Sequence, residues 1–376
     1  MKAQSPARFL LLLVALMLVS AAPAAVRAQD ARSALTNFPE SQAVLYINAR
    51  RLINEAAPSV IPPEVLNKGL AEAKQFIDLN GLEYVIAGAR LKGDLSAKQL
   101  PEFLLIMRGN FSAEALLSGA RMMGQNMYTQ ETVGTRTISV FTLNKPAPAG
   151  SEQNSKKFPI DQIAATALDA NTIAVGIPAY LKDAMDASTG GSRPRLKPEL
   201  VDLALRDANT LVSLVSDIPP GISQHIRALG APPNAEMERM VDAVRQVQLA
   251  VNMQPSTFGV QSIIRMDDAE KASALSGLIN IGIGFAKGEL QKDLQKASES
   301  SKADMTALMG VVETLTNTAR GNEVELNLTF QQASLAEVIK RQMAPKVKKQ
   351  ETAVAPAPGT KKGAAVNRRR ARPRRR

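Results

Sequence analysis

The chain has 376 residues, 45% of them hydrophobic, with a formal net charge of +11, no cysteine and one histidine. The absence of cysteine excludes disulfides, thiol nucleophiles, thiolate metal sites and a lipid-modified cysteine, and a single histidine excludes a multi-histidine metal site. The length is enough to bury one or two hydrophobic cores.

The segment 1–28 has the pattern of a secretory signal peptide. Lys2 and Arg8 precede an apolar run, Phe9–Val19, and small residues lead to a cleavage site after Ala28 or Ala24. The alternative is a retained membrane anchor, but the run is well short of the ~20 residues that span a bilayer. We therefore expect an exported protein, periplasmic or extracellular.

The basic charge is concentrated in the tail, residues 346–376. Outside the signal, residues 29–345 contain 31 Lys or Arg and 34 Asp or Glu, which leaves a net charge of −3. The tail contains one acid and 12 basic residues, which are Lys346, Lys348, Lys349, Lys361, Lys362, Arg368, Arg369, Arg370, Arg372, Arg374, Arg375 and Arg376. Its Ala, Pro and Gly spacing offers no core, so we predict a disordered segment.

Residues 29–191 form the first predicted half, in which strands and helices alternate. Ser112 is placed to cap a helix, Gly134 to turn a hairpin, and Pro178 to open a helix directly after a strand. The predicted elements are strand Ala43–Asn48, helix Glu64–Ile77, strands Leu82–Leu91 and Glu102–Asn110, a helix after Ser112, hairpins over 127–143 and Ile163–Gly176, and a helix from Pro178.

Residues 192–345 form the second predicted half, after the linker Ser192–Pro198. The predicted elements are helix Glu199–Ala208, strands Thr210–Ser216 and Val247–Met253, a strand from Phe258, an apolar helix over 275–286, a further helix bearing Met305 and Leu308, strand Glu323–Phe330 and a helix from Ser334. In Val247–Met253, apolar residues alternate with Gln248, Ala250 and Asn252. This period of two predicts a strand with one solvent-exposed face.

The halves contain similar segments. Phe103–Met123 and Phe258–Asn280 are each a strand beginning at Phe, a polar cap and a helix with Leu-Ser-Gly, and Thr210–Ser216 matches Ala43–Asn48. Divergent duplication and chance recurrence both account for this. The pattern predicts an α+β fold of two related halves, each a mainly antiparallel sheet with helices packed on one face.

In its order of elements over residues 38–340, the chain resembles uncharacterised exported bacterial proteins made of tandem α+β repeats. The resemblance rests on element order and not on a signature motif. It implies an exported α+β protein and no particular activity.

No stretch carries a catalytic motif, and no cofactor or metal is predicted. Ser223 and His225 suggest a nucleophile and a base, but they are two residues apart in one predicted helical turn and point to different sides. We interpret them as surface positions. The glycines of Gly282–Gly288 suggest a phosphate-binding turn, but their spacing and helical context instead indicate close helix packing or a flexible helix end.

The apolar segment Leu275–Ala286 is much shorter than the ~20 residues needed to span a bilayer. A buried helix is favoured over a membrane-inserting one. Asp267 and Asp268 are interpreted as a helix cap, since Asp267 and Glu270 have the spacing of a capping box.

These patterns indicate a non-enzymatic binding or envelope-organising protein whose basic tail holds it to anionic surfaces. A sheet face is a candidate site for a protein partner. Outside the cytoplasm, the anions are lipid head groups, lipopolysaccharide or wall polymers. The tail has no aromatic residue to stack on bases, so nucleic acid is disfavoured. Two alternatives remain: the tail only improves solubility, or the protein is a periplasmic carrier of a small apolar ligand or lipid held between sheet and helices.

Overall fold

The computed structural model describes residues 30–74, 78–91, 101–124, 127–144, 160–228 and 235–343. The signal segment, the 346–376 tail and residues 92–100, between two predicted strands, lie outside the described residues. The strands of the described chain form one antiparallel sheet of twelve, in the order β11-β12-β10-β9-β8-β1-β2-β3-β7-β6-β5-β4. The predicted α+β class is therefore confirmed.

The strands lie close to where the alternation of side chains predicts them. Their bounds are β1 Ala43–Ile47, β2 Leu82–Arg90, β3 Glu102–Gly109, β4 Tyr128–Val133, β5 Arg136–Thr142, β6 Gln162–Asp169, β7 Thr172–Gly176, β8 Thr210–Asp217, β9 Val244–Met253, β10 Thr257–Met266, β11 Thr316–Arg320 and β12 Glu323–Gln331. Gly134 has a φ of 60° in the β4–β5 turn, a conformation that glycine adopts without steric cost.

The helices begin at the predicted local signals. Ser112 Oγ accepts from the backbone N–H of Ala115, and Pro178 occupies the first turn of its helix. Their bounds are α1 30–36, α2 Ala49–Arg51, a π-helical turn Leu52–Ala56, α3 Ala57–Val60, α4 Pro63–Ala73, α5 Ala113–Gly124, α6 Pro178–Ser188, α7 Pro198–Ala204, α8 Ile222–Ala228, α9 Ala235–Asp242, α10 Ala269–Lys296, α11 Glu299–Glu313 and α12 Gln332–Met343.

The two predicted halves meet at the centre of the sheet, where β1 pairs antiparallel with β8. Outward from this pair the order is β1-β2-β3-β7-β6 on one side and β8-β9-β10-β12-β11 on the other. The predicted match of Thr210–Ser216 to Ala43–Asn48 thus corresponds to adjacent central strands. The division at residue 192 remains a prediction, and the sheet runs continuously across it.

The predicted linker Ser192–Pro198 is hydrogen-bonded into the fold. The backbone N–H of Glu40 donates to Pro194 O, and that of Leu196 donates to Phe38 O. Leu196 is buried in the main core. The segment therefore holds the chain after α6 against the chain before β1.

The largest core lies on one face of the sheet, which we call the α7 face. It joins Val44, Tyr84, Leu104 and Val215 of the strands to buried residues of α1, α6 and α7. Position 88 in this core requires glycine, because a Cβ there would lie 2.3 Å from a ring carbon of Phe38. Helices α1, α6 and α7 therefore form a layer on this face.

Further helices pack on the opposite face, which we call the α10 face. Leu117 of α5 packs with Ile173 of β7, and Ala272 of α10 packs with Val324 of β12. At one strand end, α3 and α12 pack over Phe258 of β10. Helix α12 therefore lies on the opposite face from α6, although each follows the last strand of its half.

Candidate functional site

On the central strands β8 and β9 the usual relation between polarity and burial is reversed. Gln248 and Asn252 are buried on the α7 face, whereas Leu214 and Leu249 are 43% and 46% exposed on the α10 face. The alternation predicted for Val247–Met253 is present. One side of the strand is exposed, as the period of two predicts, but it is the apolar side, because α7 packs over the polar side.

The buried polar side chains of β8 and β9 make hydrogen bonds on the α7 face, although Gln248 Oε1 is buried without a hydrogen-bond partner among the described residues. Gln248 Nε2 donates to the carbonyl oxygen of Leu203 and, over 3.3 Å, to Ser213 Oγ. Thr210 Oγ1 donates to Asn252 Oδ1 over 3.0 Å. These bonds offset the cost of taking the amides out of water. They fix β8 and β9 with the polar side inward.

The opposite side of the same strands carries what we call the leucine row: Leu45, Leu214 and Leu249. Leu45 lies directly opposite Leu214 on β1 and β8, and Leu214 lies directly opposite Leu249 on β8 and β9. Fully burying a leucine stabilises a protein by about 1.5–3 kcal/mol relative to leaving it exposed. Leu214 and Leu249 lie in the middle of the sheet but are only partly buried, so the fold gains only part of this stabilisation from them. The leucine row is therefore a candidate binding surface.

Helices border the leucine row on several sides. Helix α5 contacts β5 and β6 beyond one end of the row, and α10 contacts β10, β11 and β12 beyond the other. Along the strands, Val212 and Val251 pack in the cluster formed with α3 and α12. The row is thus an apolar floor between helices.

Helix α10 is a second exposed apolar surface. The prediction of a buried helix over Leu275–Ala286 is wrong, because Ile281 and Phe285 are 72% and 71% exposed. Of this helix, Ala272 and Ser276 are buried, and Leu275 and Ile279 pack at the edge of the same cluster. The N-terminal part of α10 therefore holds it to the sheet, and the stretch that follows presents its apolar side outward.

The glycines of Gly282–Gly288 lie within α10, as the helical context predicts. Of the two predicted explanations, close helix packing and a flexible helix end, close packing is not found within the described chain. A Cβ added at Gly282, Gly284 or Gly288 would meet no atom within 4 Å. The cap prediction before α10 is confirmed with a shift of one residue. Asp268 is the N-cap residue, and its side chain accepts from the Lys271 backbone N–H at 2.8 Å.

A polar cleft of about 460 Å³ opens on the α7 side, near the ends of β1 and β2. Its lining includes Tyr46 and Tyr84 together with four arginines and four acids. The arginines are ion-paired, as Arg32–Asp202, Arg50–Glu83, Arg51–Glu55 and Arg206–Glu323. The cleft offers no surplus of charge for an ionic ligand, and it is not the apolar cavity expected of a lipid carrier.

The tyrosines of the α7 face stay protonated at neutral pH. Burial raises the pKa of Tyr46, Tyr84 and Tyr180 to about 12. The ring of Tyr180 lies under the guanidinium of Arg90, 4.1 Å from its centroid, and Arg90 also pairs with Glu102 and Asp183. This arrangement ties α6 to β2 and β3.

Ser223 is not the surface position that the sequence indicated. It is buried at the start of α8, where its hydroxyl donates to Asp242 Oδ2 over 2.7 Å and its backbone N–H donates to Asp242 Oδ1 over 3.1 Å. This carboxylate joins α8 to the end of α9. The Ser223 hydroxyl therefore makes a hydrogen bond that links the two helices. His225 lies in the same helix, and its side chain is outside what the structure describes.

Within the described ranges, no three acidic or histidine side chains are grouped to hold a metal ion. Within the same ranges, none of the helices combines the length and hydrophobicity that crossing a bilayer requires. The basic residues of the tail lie outside the described chain, so their predicted anion binding remains a prediction.

The fold and its exposed surfaces define an α+β protein with one antiparallel sheet and an apolar floor between helices. No family model matches the sequence. No curated protein matches it either. Among solved structures, crystal form III of the Treponema protein TP0453 is similar, with a TM-score of 0.40 and 12% identity over 82% of this chain and 97% of that one. Form IV gives a TM-score of 0.40 over 80% and 92%. A likeness at this level carries no functional inference, so the proposed resemblance to exported repeat proteins remains a prediction.

Proposed function

We propose that this chain is a non-enzymatic, exported binding protein that attaches to anionic lipid surfaces, with the leucine row contacting lipid and the basic tail contacting head groups. The observation that carries the proposal is the reversed burial on β8 and β9. Polar side chains occupy the core under α7, and leucines face outward on the other side.

The tail supports a lipid surface as the partner. Helix α12 packs on the α10 face and ends at Met343, so the chain leaves the described structure on the same side of the sheet as the leucine row. The segment that follows Met343 contains every basic residue of the tail and a single acid, Glu351. The leucine row and the basic segment that follows α12 can therefore contact the same lipid surface.

The two contributions differ in their response to salt. A basic residue near an anionic membrane contributes about 1 kcal/mol, and this attraction decays over a Debye length of ~10 Å at 0.1 M salt. The apolar contact of the leucines is not screened in this way. We expect the tail to govern binding at low salt, and the leucine row to govern the binding that remains at high salt.

Co-sedimentation with vesicles tests the proposal. Vesicles of phosphatidylglycerol mixed with phosphatidylcholine are compared with phosphatidylcholine alone, across a salt series. The proteins are the full chain, the chain without residues 346–376, a Leu214→Ser, Leu249→Ser double variant, and a Val65→Ser control, in which an exposed valine of α4 is replaced.

Truncation should remove the binding that depends on salt and on phosphatidylglycerol, and scrambling the order of the tail should leave it unchanged. The double variant should lose the salt-resistant binding while keeping the wild-type circular dichroism spectrum. The control should behave as wild type. If the double variant binds as well as wild type at every salt concentration, the leucine row is not the lipid contact. If truncation has no effect, the tail is not the tether.

A second candidate function is a carrier of one apolar ligand. The position of the leucine row between α5 and α10 favours it, because such a floor can hold an acyl chain. A carrier should bind a fluorescent fatty acid in the absence of vesicles, with one site per chain and equal affinity with and without the tail. The Leu214→Ser, Leu249→Ser variant should abolish this binding.

A further inference from the structure

Helix α10 presents an apolar stripe that the described part of its own chain leaves exposed. The stripe includes Leu278, Ile281 and Phe285, which are 46%, 72% and 71% exposed. Together with Ala274, these residues recur at intervals of four, three and four, so they lie on one side of a helix with about 3.6 residues per turn. The side packed on the sheet carries Ala272 and Ser276 instead.

Glycines lie between the large residues of this stripe. Gly277, Gly284 and Gly288 fall on the same helical side, and a Cβ at each would meet no atom within 4 Å. Each glycine is therefore a notch that is open to the outside. The side chains of a second helix can enter such notches because no Cβ keeps the backbones apart.

We propose that this stripe binds the same stripe of a second copy, with the two α10 helices antiparallel about a two-fold axis at Ile281. Gly277 and Phe285 are each four residues from Ile281, on opposite sides, and Leu278 and Gly284 are each three residues away. An antiparallel pair therefore sets Phe285 of one copy against Gly277 of the other, and Leu278 against Gly284. Two-fold symmetry repeats each contact.

The charges on the stripe select the antiparallel orientation. Glu270 and Lys292 lie eleven residues before and after Ile281, and eleven residues are close to three full turns. In the antiparallel pair each Glu270 faces a Lys292 of the other copy. A parallel pair would instead set like charge against like charge and Phe285 against Phe285. Lys292 pairs within its own helix with Glu289 at 2.7 Å, and its side chain is 65% exposed, so it can reorient toward a second copy.

A second copy fits the stripe better than a membrane surface does. The stripe is interrupted by glycine notches, which give little apolar area to a flat lipid surface. Its ends carry opposite charges, Glu270 and Lys292, which both find a partner in an antiparallel copy, whereas an anionic membrane would attract Lys292 and repel Glu270. One pair of helices buries less than a standard interface, so we expect a weak, concentration-dependent dimer. This inference is independent of the lipid proposal, because the leucine row lies on β1, β8 and β9.

Sedimentation velocity of the full chain over a concentration series tests the pairing. Ile281→Arg places two like charges at the axis and should weaken the dimer at least tenfold. Leu308→Arg, at an exposed leucine of α11, is the matched control and should leave the dimer intact. Glu270→Lys and Lys292→Glu should each weaken it, and the double exchange should restore it. Circular dichroism verifies that each variant is folded.

The lack of native cysteine provides a second, geometric test. Ile281→Cys should form a disulfide-linked dimer under mild oxidation, because the residue meets its own copy at the axis. Asn280→Cys, on an adjacent side of the helix, should crosslink much less. A chain that stays monomeric at all concentrations overturns the proposal, as does equal crosslinking at both positions. If Ile281→Arg instead removes vesicle binding from a monomeric protein, the stripe contacts membrane and the pairing is wrong.

Discussion

Strands β2 and β9 both bury alternate residues on the α7 face, but the buried residues are apolar in β2 and include polar residues in β9. In β2, the apolar Tyr84 and Ile86 are buried on the α7 face, and the alternate residues Val85 and Ala87 are half-buried on the other side. In β9, Gln248 and Asn252 are buried on the α7 face, and Leu249 points outward. The comparison shows that the period of two identifies a strand, whereas the element that packs on it decides which side is the core.

The largest expected change in the free energy of unfolding comes from comparing a buried leucine with an exposed one. Leu200 of α7 is fully buried, and Leu249 is 46% exposed. Leu200→Ala should lower the free energy of unfolding by about 2–5 kcal/mol because it leaves a cavity. Leu249→Ala should lower it by less than about 1 kcal/mol. Urea denaturation of both variants measures the difference, and equal losses would mean that the leucine row is part of the core.

On β9, we expect replacement of a polar residue to destabilise the fold more than replacement of its apolar neighbour. Gln248→Ala removes the hydrogen bonds to Leu203 O and Ser213 Oγ and leaves these groups without that partner. It should cost about 1–3 kcal/mol, as expected for a buried polar network. The same denaturation experiment should therefore show a larger loss for the polar Gln248→Ala than for the apolar Leu249→Ala. The opposite order would contradict the burial described for β9.

The last prediction concerns the pH dependence of stability. The folded chain holds the proton of Tyr84 up to a pKa of about 12, because burial disfavours the phenolate, whereas an unfolded tyrosine ionises near pH 10. The unfolded state therefore loses protons first, and the free energy of unfolding falls as pH rises from 10 to 12. This contribution is at most about 1.4 kcal/mol per pH unit for each such tyrosine.

Tyr84→Phe should make that decline shallower without changing the slope between pH 7 and pH 9. The measurement is urea denaturation of the variant and wild type at each pH. A decline that is identical in both proteins would show that Tyr84 ionises as readily in the folded chain as in the unfolded one. It would then not belong to the dry side of the sheet.

The sequence by itself determined the local structure of the described chain. Ser112 and Asp268 mark helix starts, Pro178 opens α6 after a strand, and Gly134 turns a hairpin, because each signal acts through backbone groups only a few residues away. The alternation over Val247–Met253 likewise depends on neighbours in the strand. These features required no knowledge of distant contacts, and together they were sufficient for the α+β class.

The tertiary structure alone decided which surfaces are open. Helix α7 packs over β9 and thereby buries Gln248. The pairing of β1 with β8 places Leu45 opposite Leu214, although the two leucines lie in different predicted halves of the sequence. Ser223 is buried because Asp242 of another helix accepts its hydroxyl. The apolar side of α10 is exposed because the sheet contacts only its first turns. Polarity is a property of a residue, but burial depends on what packs against it, and distant segments supply those contacts.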